Sequence, residues 1–370
     1  MAMGSSFGST PFVLKLIQVK AFYINLIIAA VMAPVMTLFI PRHQPRPKTS
    51  FLNKVREMDW LGILLIAAVY TTYVVALTFG GQQWPWSDGR FIAVITICGV
   101  LLLTFILTQY FTLFTTKDRR IFPGQFLRRK SLMLQFFSMS SACTTLFIGA
   151  YYIPLFFQFA HNDSALQAAV RLLPFIMVTI TCIMLNGGLM PVFGYYMPWY
   201  VFGGIFMLIG GSLMYTIDSD TTPSRVYGYS VIMGMGAGLA QQSAYSIAAA
   251  KVAPHEIPAA IGFINIAQIG AVVIALTISG AVFQNVAFHK LEEALAGKGF
   301  SVQEVRGAIA GTQSAVFRSG TPEVREAAVK AIIEAMDKVY ALVIAAGALM
   351  LVSSLFMKRE RLFMKVVAGG

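Results

Sequence analysis

The chain has 370 residues, of which 57% are hydrophobic and 12% charged, and its formal net charge is +12. A soluble domain carries about 25% charged residues, so too little polar surface remains here for a water-soluble shell. The surplus Lys and Arg sit between apolar runs and not on one polar face, which reads as membrane topology and argues against a nucleic-acid partner.

In chain order, residues 1–21 mix small residues with a weakly apolar stretch. Nine apolar runs follow, at roughly 22–41, 60–79, 91–114, 133–159, 166–189, 197–217, 226–250, 258–286 and 339–357. A spanning helix needs about 20 mostly apolar residues, and only helices or closed barrels satisfy the backbone inside a bilayer. The runs are continuous and do not alternate, which excludes the barrel pattern. The expected fold is an all-α polytopic membrane protein with about nine transmembrane helices.

Lys and Arg number sixteen in the connections 42–59, 115–132, 190–196 and 251–257 and the tail from 358. The opposite connections, leaving out the long segment 287–338, hold only Lys15, Lys20, Arg90 and Arg225. Cytoplasmic loops are the basic ones, so the C-terminus is expected in the cytoplasm and the start of the chain outside. In the outer segment 287–338, Ser301 and Glu304 have capping-box spacing. Thr321–Pro322 reads as an N-cap followed by proline at the first helical position. Residues 323–338 form an amphipathic pattern that runs into the last span. The segment reads as a surface cap, with a substrate lid as the alternative.

Polar side chains at membrane depth are costly unless paired or facing a cavity. Gln135, Tyr151, Gln158, Asn186, Gln241, Gln242, Tyr245, Asn265 and Gln268 are therefore the substrate-cavity candidates, with interhelical bonding as the alternative for each. Gln241 or Gln242 shares a helix face with Tyr245, and Asn265 and Gln268 are three apart on the next helix. Tyr152 belongs to the same polar group. Arg171, the one charge well inside a span, is expected to snorkel to the outer interface.

Gly234, Gly236 and Gly238 permit close helix approach, for packing or for a moving gate. Pro34, Pro154 and Pro174 free backbone carbonyls and permit bends. Gly194 and Pro198 flank a tight turn. Cys98, Cys143 and Cys182 lie inside apolar runs, and the four histidines lack metal-ligand spacing, so no metal is expected. No GxxxxGK[ST] loop implies ATP, and no Ser-His-Asp or HExxH arrangement implies an enzyme.

Several segments carry a family resemblance. FYINLIIAAVMAPVMTLFIP (22–41), DWLGILL (59–65) and TFGGQQWPW (78–86) resemble segments of major facilitator superfamily transporters. The branch they resemble is the fungal fourteen-span drug:proton antiporters, which include mycotoxin and multidrug efflux pumps. YYIPLFFQ (151–158), AVRLLPFIM (169–177), FGYYMPW (193–199), GMGAGLAQQSA (234–244) and AVFQN (281–285) are similar to further motifs of that branch, in its order and spacing.

The resemblance implies that 22–41 is the last helix of the N-terminal bundle and that 42–132 is a linker with two extra spans. It implies a C-terminal six-helix bundle over 133–357, with 358–370 as a cytoplasmic tail. Residues 1–21 carry none of the motifs and are expected to be a non-family segment. The family usually places Arg or Lys near the 193–199 turn, where Val192 and Met197 supply neither. No Asp or Glu lies in the middle of any span, although proton coupling needs an intramembrane ionisable group; in the family that group belongs to the N-terminal bundle.

The expected activity is therefore secondary active efflux of small amphipathic organic molecules. Its energy would come from a proton gradient, with no cofactor and no ATP, in a lipid bilayer that is the plasma membrane or, alternatively, the vacuolar membrane. The chain is expected to be truncated before its first span, with inactivity as one reading of that truncation. The alternative is a non-transporting membrane protein, such as an assembly partner or a dominant-negative fragment.

Overall fold

The structure is a computed structural model that describes residues 10–39, 49–117, 119–312 and 314–362. It divides into two units, residues 1–57 and 58–370. The first holds α1 (Thr10–Phe39) and the short α2 (Phe51–Arg56). Helix α1 runs without interruption through the boundary expected at residue 21 and carries Pro34 inside it. Its apolar side chains from Leu26 to Phe39 are exposed.

The second unit opens with an antiparallel pair, α3 (Trp60–Phe79) and α4 (Gly89–Tyr110). Asp59 caps α3 by accepting from the Gly62 N–H at 2.8 Å, which explains the Asp and Gly of DWLGILL. A Cβ on Gly62 would lie 2.4 Å from Asp59 Oδ2. The TFGGQQWPW turn then packs against the AVFQN segment. Gly81 has a φ of +76°, and a Cβ there would meet Asn285 Oδ1 at 2.1 Å.

The remaining helices are α5 (Lys130–Ala160), α6 (Ala165–Arg171), α7 (Leu173–Phe193), α8 (Met197–Met214), α9 (Pro223–Gln241), α10 (Ser243–Ala250) and α11 (Ile257–Ala294). They are followed by α12 (Val302–Ala310), α13 (Ala315–Ser319), α14 (Pro322–Val339) and α15 (Ala341–Leu355). Helix α5 lies beside α9, α11 and α15, and α9 is held between α7 and α8. The close packing follows from the glycines of α9. A Cβ on Gly236 would lie 2.6 Å from Met207 N on α8, and one on Gly238 would lie 2.5 Å from the Thr179 carbonyl on α7. Gly234 likewise meets Thr179 and Phe175. Without a hydrophobic drive between helices in lipid, such backbone approach is a main source of association.

Among the described residues, seven helical segments are long and apolar enough to cross a membrane. The expected span 226–250 is helical as α9 and α10, but its glycines, serines, tyrosines and glutamines dilute it, because it sits inside the bundle. For the expected span 22–41, the apolar part described is Leu26–Phe39. The span expected at 166–189 is interrupted at Leu172, and Pro174 falls in the first turn of α7, where its missing N–H costs nothing. Pro154 lies within α5 without ending it.

In the outer segment the end of the preceding helix differs from the expected boundary. Helix α11 continues to Ala294, past the boundary at 286, because Ala287 and Leu291 are buried in a core shared with Ala328, Ile332 and Met336 of α14. The Ser301 capping box and the Thr321 N-cap form as the spacing predicts. At the same end Arg171 pairs with Asp163, donates to the Tyr227 hydroxyl at 3.2 Å and lies 4.8 Å over the Phe157 ring.

At the opposite end of the second unit, the 190–196 and 251–257 connections meet the start of the tail. Gly194 ends α7 in the left-handed conformation, with φ +73°, and its carbonyl accepts from Leu362 N at 2.8 Å. Lys251 pairs with Glu360 and reaches the Tyr196 hydroxyl at 3.2 Å. The charge missing from the 193–199 turn is thus brought to it in space by Lys251 and Arg361. The Lys251 partner holds the Glu360 carboxyl below its ordinary value of 4.5. A depressed carboxylate contributes above its unfolded pKa and loses that contribution as pH falls through the folded one. The tail is therefore expected to stay clamped at neutral pH and to loosen below about pH 4. Glu360→Gln should expose the Lys358 and Arg361 bonds to trypsin at neutral pH, read as faster tail cleavage by mass spectrometry; unchanged cleavage would show that the pair does not hold the tail.

Candidate substrate-facing site

The polar candidates separate into two groups. Gln135 and Asn186 are buried, with 0% and 1% exposure. Gln135 Oε1 accepts from the Tyr200 hydroxyl at 2.5 Å, and Asn186 Oδ1 accepts from Ser243 Oγ. Two buried polar pairs, Asn186–Ser243 and Tyr200–Gln135, therefore join α7 to α10 and α8 to α5. Tyr200 and Ser243 were not legible as site residues, since an isolated Tyr or Ser in an apolar run carries no signal of a partner. Such bonds tie helices together in lipid, and both pairs are enclosed within the bundle.

The second group lies at the interruption between α9 and α10, at Gln242. Gln242 is exposed, whereas Gln241 Oε1 and the neighbouring Asn186 Nδ2 are buried without a hydrogen-bond partner among the described residues. One turn on, the Tyr245 hydroxyl meets Asn265 Oδ1 at 2.5 Å and also Gln268 Oε1. A phenol has a single proton. One amide can therefore accept it, while the other satisfies the geometry only by turning its NH2 toward the phenolic oxygen. The cluster can switch between donor and acceptor patterns without moving its helices.

Asn265 is exposed, and Tyr245 and Gln268 are half-buried. Asn265 and Gln268 share a face of α11 with exposed Ile261 and Ile269, and Tyr245 reaches that face from α10. The face is thus mostly apolar, with a few convergent polar groups, which is the usual makeup of a small-molecule site.

Tyr151 and Gln158 stand apart from this cluster. Tyr151 is exposed and stacks edge-on against Tyr152 with centroids 5.0 Å apart. Both tyrosines line an outer cavity of about 360 Å³ beneath the 80–88 turn. Gln158 is half-buried near the outer end of α5. The outer end also holds a carboxyl that periodicity did not single out. Asp337, half-buried at the last turn of α14, has Oδ1 buried without a hydrogen-bond partner among the described residues. It falls just before the last apolar run, where hydropathy gives a carboxyl no weight.

Residues 3–276 match the Major Facilitator Superfamily. The chain belongs to that superfamily. Its similarity to individual members is extensive. It is 42% identical to the efflux pump patC of Aspergillus clavatus, over 92% of this chain and 62% of the relative. It is 41% identical to the MFS-type transporter pgmG of Aspergillus terreus, over 94% of the chain and 62% of the relative. It is 34% identical to the phomenoic acid biosynthesis cluster MFS-type transporter of Leptosphaeria maculans, over 94% and 58%. The chain thus spans about 60% of the length of these curated relatives. The superfamily match begins at residue 3, so most of the segment expected to lie outside the family pattern, 1–21, falls within it.

Proposed function

We propose that this chain supplies the substrate-facing C-terminal bundle of a major facilitator efflux carrier for amphipathic organic molecules, including secondary metabolites. The observation that carries this reading is the Tyr245–Asn265–Gln268 cluster, set on an apolar face beside the interrupted α9–α10 helix. Transporters place their sites near such interruptions, between two bundles that rock against one another. An adaptable phenol–amide cluster suits varied ligands, because it offers either a donor or an acceptor with no fixed counter-charge. The names of the relatives support efflux and, in one case, a biosynthetic cluster. Proton antiport is the driving force we propose, acting through ionisable groups of a second bundle. The basic end of the fold faces the cytoplasm in this scheme, at the plasma membrane.

The test is export of a fluorescent substrate panel from a pump-deficient yeast. The chain expressed alone is expected to give no energy-dependent export; joined to the N-terminal bundle of a relative, it is expected to export. Within that fusion, Tyr245→Phe removes a hydrogen bond worth about 1 kcal/mol. It should raise the half-saturating substrate concentration about fivefold while leaving surface expression unchanged. Proton-gradient-sensitive export by the chain alone would overturn the need for a second bundle, and an unaltered Tyr245→Phe fusion would remove the cluster from the site.

A further inference from the structure

A cavity of about 890 Å³ lies not at the cluster above but at the basic end of the fold, where α4 meets the 111–129 connection. Its two walls differ in chemistry. One is the apolar face of α4, with Leu102, Phe105 and Ile106; Leu102 and Ile106 are exposed on the outer surface of the helix. The other carries Lys117, Arg120, Arg128 and Arg129.

These cations are not equivalent. Arg129 is already committed, through two bonds of 2.9 Å to the Glu256 carboxylate. Arg120 donates to the Gln109 carbonyl at 3.2 Å and to Gln125, and its Nε is buried without a hydrogen-bond partner among the described residues. Lys117 and Arg128 are exposed, and no described carboxylate pairs with either. Among the described residues, three cations therefore have no carboxylate partner along one wall of a cavity whose other wall is hydrocarbon.

We infer that this cavity holds an anionic phospholipid of the adjoining leaflet, its phosphate among Lys117, Arg120 and Arg128 and an acyl chain along Leu102, Phe105 and Ile106. A free inorganic phosphate would leave the apolar wall unused, and a zwitterionic lipid would leave the cations unmatched. Tyr110, 70% exposed at the end of α4, marks the depth at which a headgroup lies. Basic pockets beside transmembrane helices on this side suit such headgroups. The bound lipid would brace the α3–α4 pair against the 111–129 connection, away from the transport face.

The full chain purified in neutral detergent tests this. Dioctanoyl phosphatidic acid is expected to raise its melting temperature saturably, whereas dioctanoyl phosphatidylcholine and inorganic phosphate at the same concentrations are not. Each surface cation contributes about fivefold in affinity, so Lys117→Gln with Arg128→Gln should weaken the phosphatidic acid response at least about tenfold. Lys117→Arg with Arg128→Lys should restore it. If the double glutamine variant fails to fold, Ile106→Trp fills the apolar wall with every charge intact and should weaken the same response. Equal shifts with phosphatidylcholine, an equal shift with inorganic phosphate, or full affinity in the folded variants would overturn the proposal.

Discussion

Gly238→Val is expected to remove most correctly folded protein from a detergent extract, while Gly228→Ala on the same helix leaves it intact. The contrast follows from what each new carbon meets. At Gly238 it would stand 2.5 Å from the backbone carbonyl of Thr179 and 2.8 Å from Cys182 Cβ. A carbonyl oxygen in the middle of α7 cannot turn aside, so the two helices must separate. Overpacking of this kind costs typically 1–3 kcal/mol and occasionally more, and an obstructed backbone puts Gly238→Val near the top of that range, about 3 kcal/mol. The loss spreads further because α9 also touches α8 through Gly236. At Gly228 no atom lies within 4 Å, and alanine is better than glycine in a helix by roughly 0.5–1 kcal/mol. Size-exclusion profiles after a heating series would read both. A Gly238→Val protein that melts with the wild type would show that α7 and α9 are not in backbone contact.

These glycines show what the sequence made legible. Their GxGxG spacing announced a close approach, but not that Gly234 and Gly238 face one helix and Gly236 another, since that depends on where α7 and α8 lie. Hydropathy found the outer spans cleanly and described α9 poorly, because a helix enclosed by others has no lipid to face and tolerates Gly, Ser and Gln. The polar candidates were visible as types, whereas their partners were not. Gln135 meets Tyr200 across 65 residues, and Tyr245 meets Asn265 and Gln268 only because α10 and α11 fold back on each other. The outer end of α11 was lost for a related reason. Its apolar residues there are spaced for a partner helix, α14, which lies beyond an intervening polar stretch and carries no local mark of the pairing.

Asp59→Ala is expected to destabilise the α3–α4 pair by about 3 kcal/mol, a large effect for a residue at the edge of a span. The carboxylate is only 5% exposed and does more than cap a helix. Oδ1 accepts from Gly62 N at 2.8 Å, while Oδ2 accepts from Gln109 Nε2 at 2.8 Å and from Ile121 N at 3.2 Å. Gln109 in turn accepts from Phe122 N at 3.0 Å through its own oxygen. One side chain therefore ties the start of α3, the end of α4 and the connection that follows. Losing an N-cap costs about 1 kcal/mol, and each buried donor left without an acceptor costs about 1–3 kcal/mol. The Ile121 amide lies at a more open position, so the lower end of the range applies to it. Asp59→Asn keeps one acceptor oxygen but turns an NH2 toward a donor, so it should fall between the wild type and alanine. Melting curves of the three proteins should rank Asp, Asn, Ala. An alanine variant as stable as the wild type would mean that water satisfies Gln109 and Ile121, and that the Asp of DWLGILL acts on α3 alone.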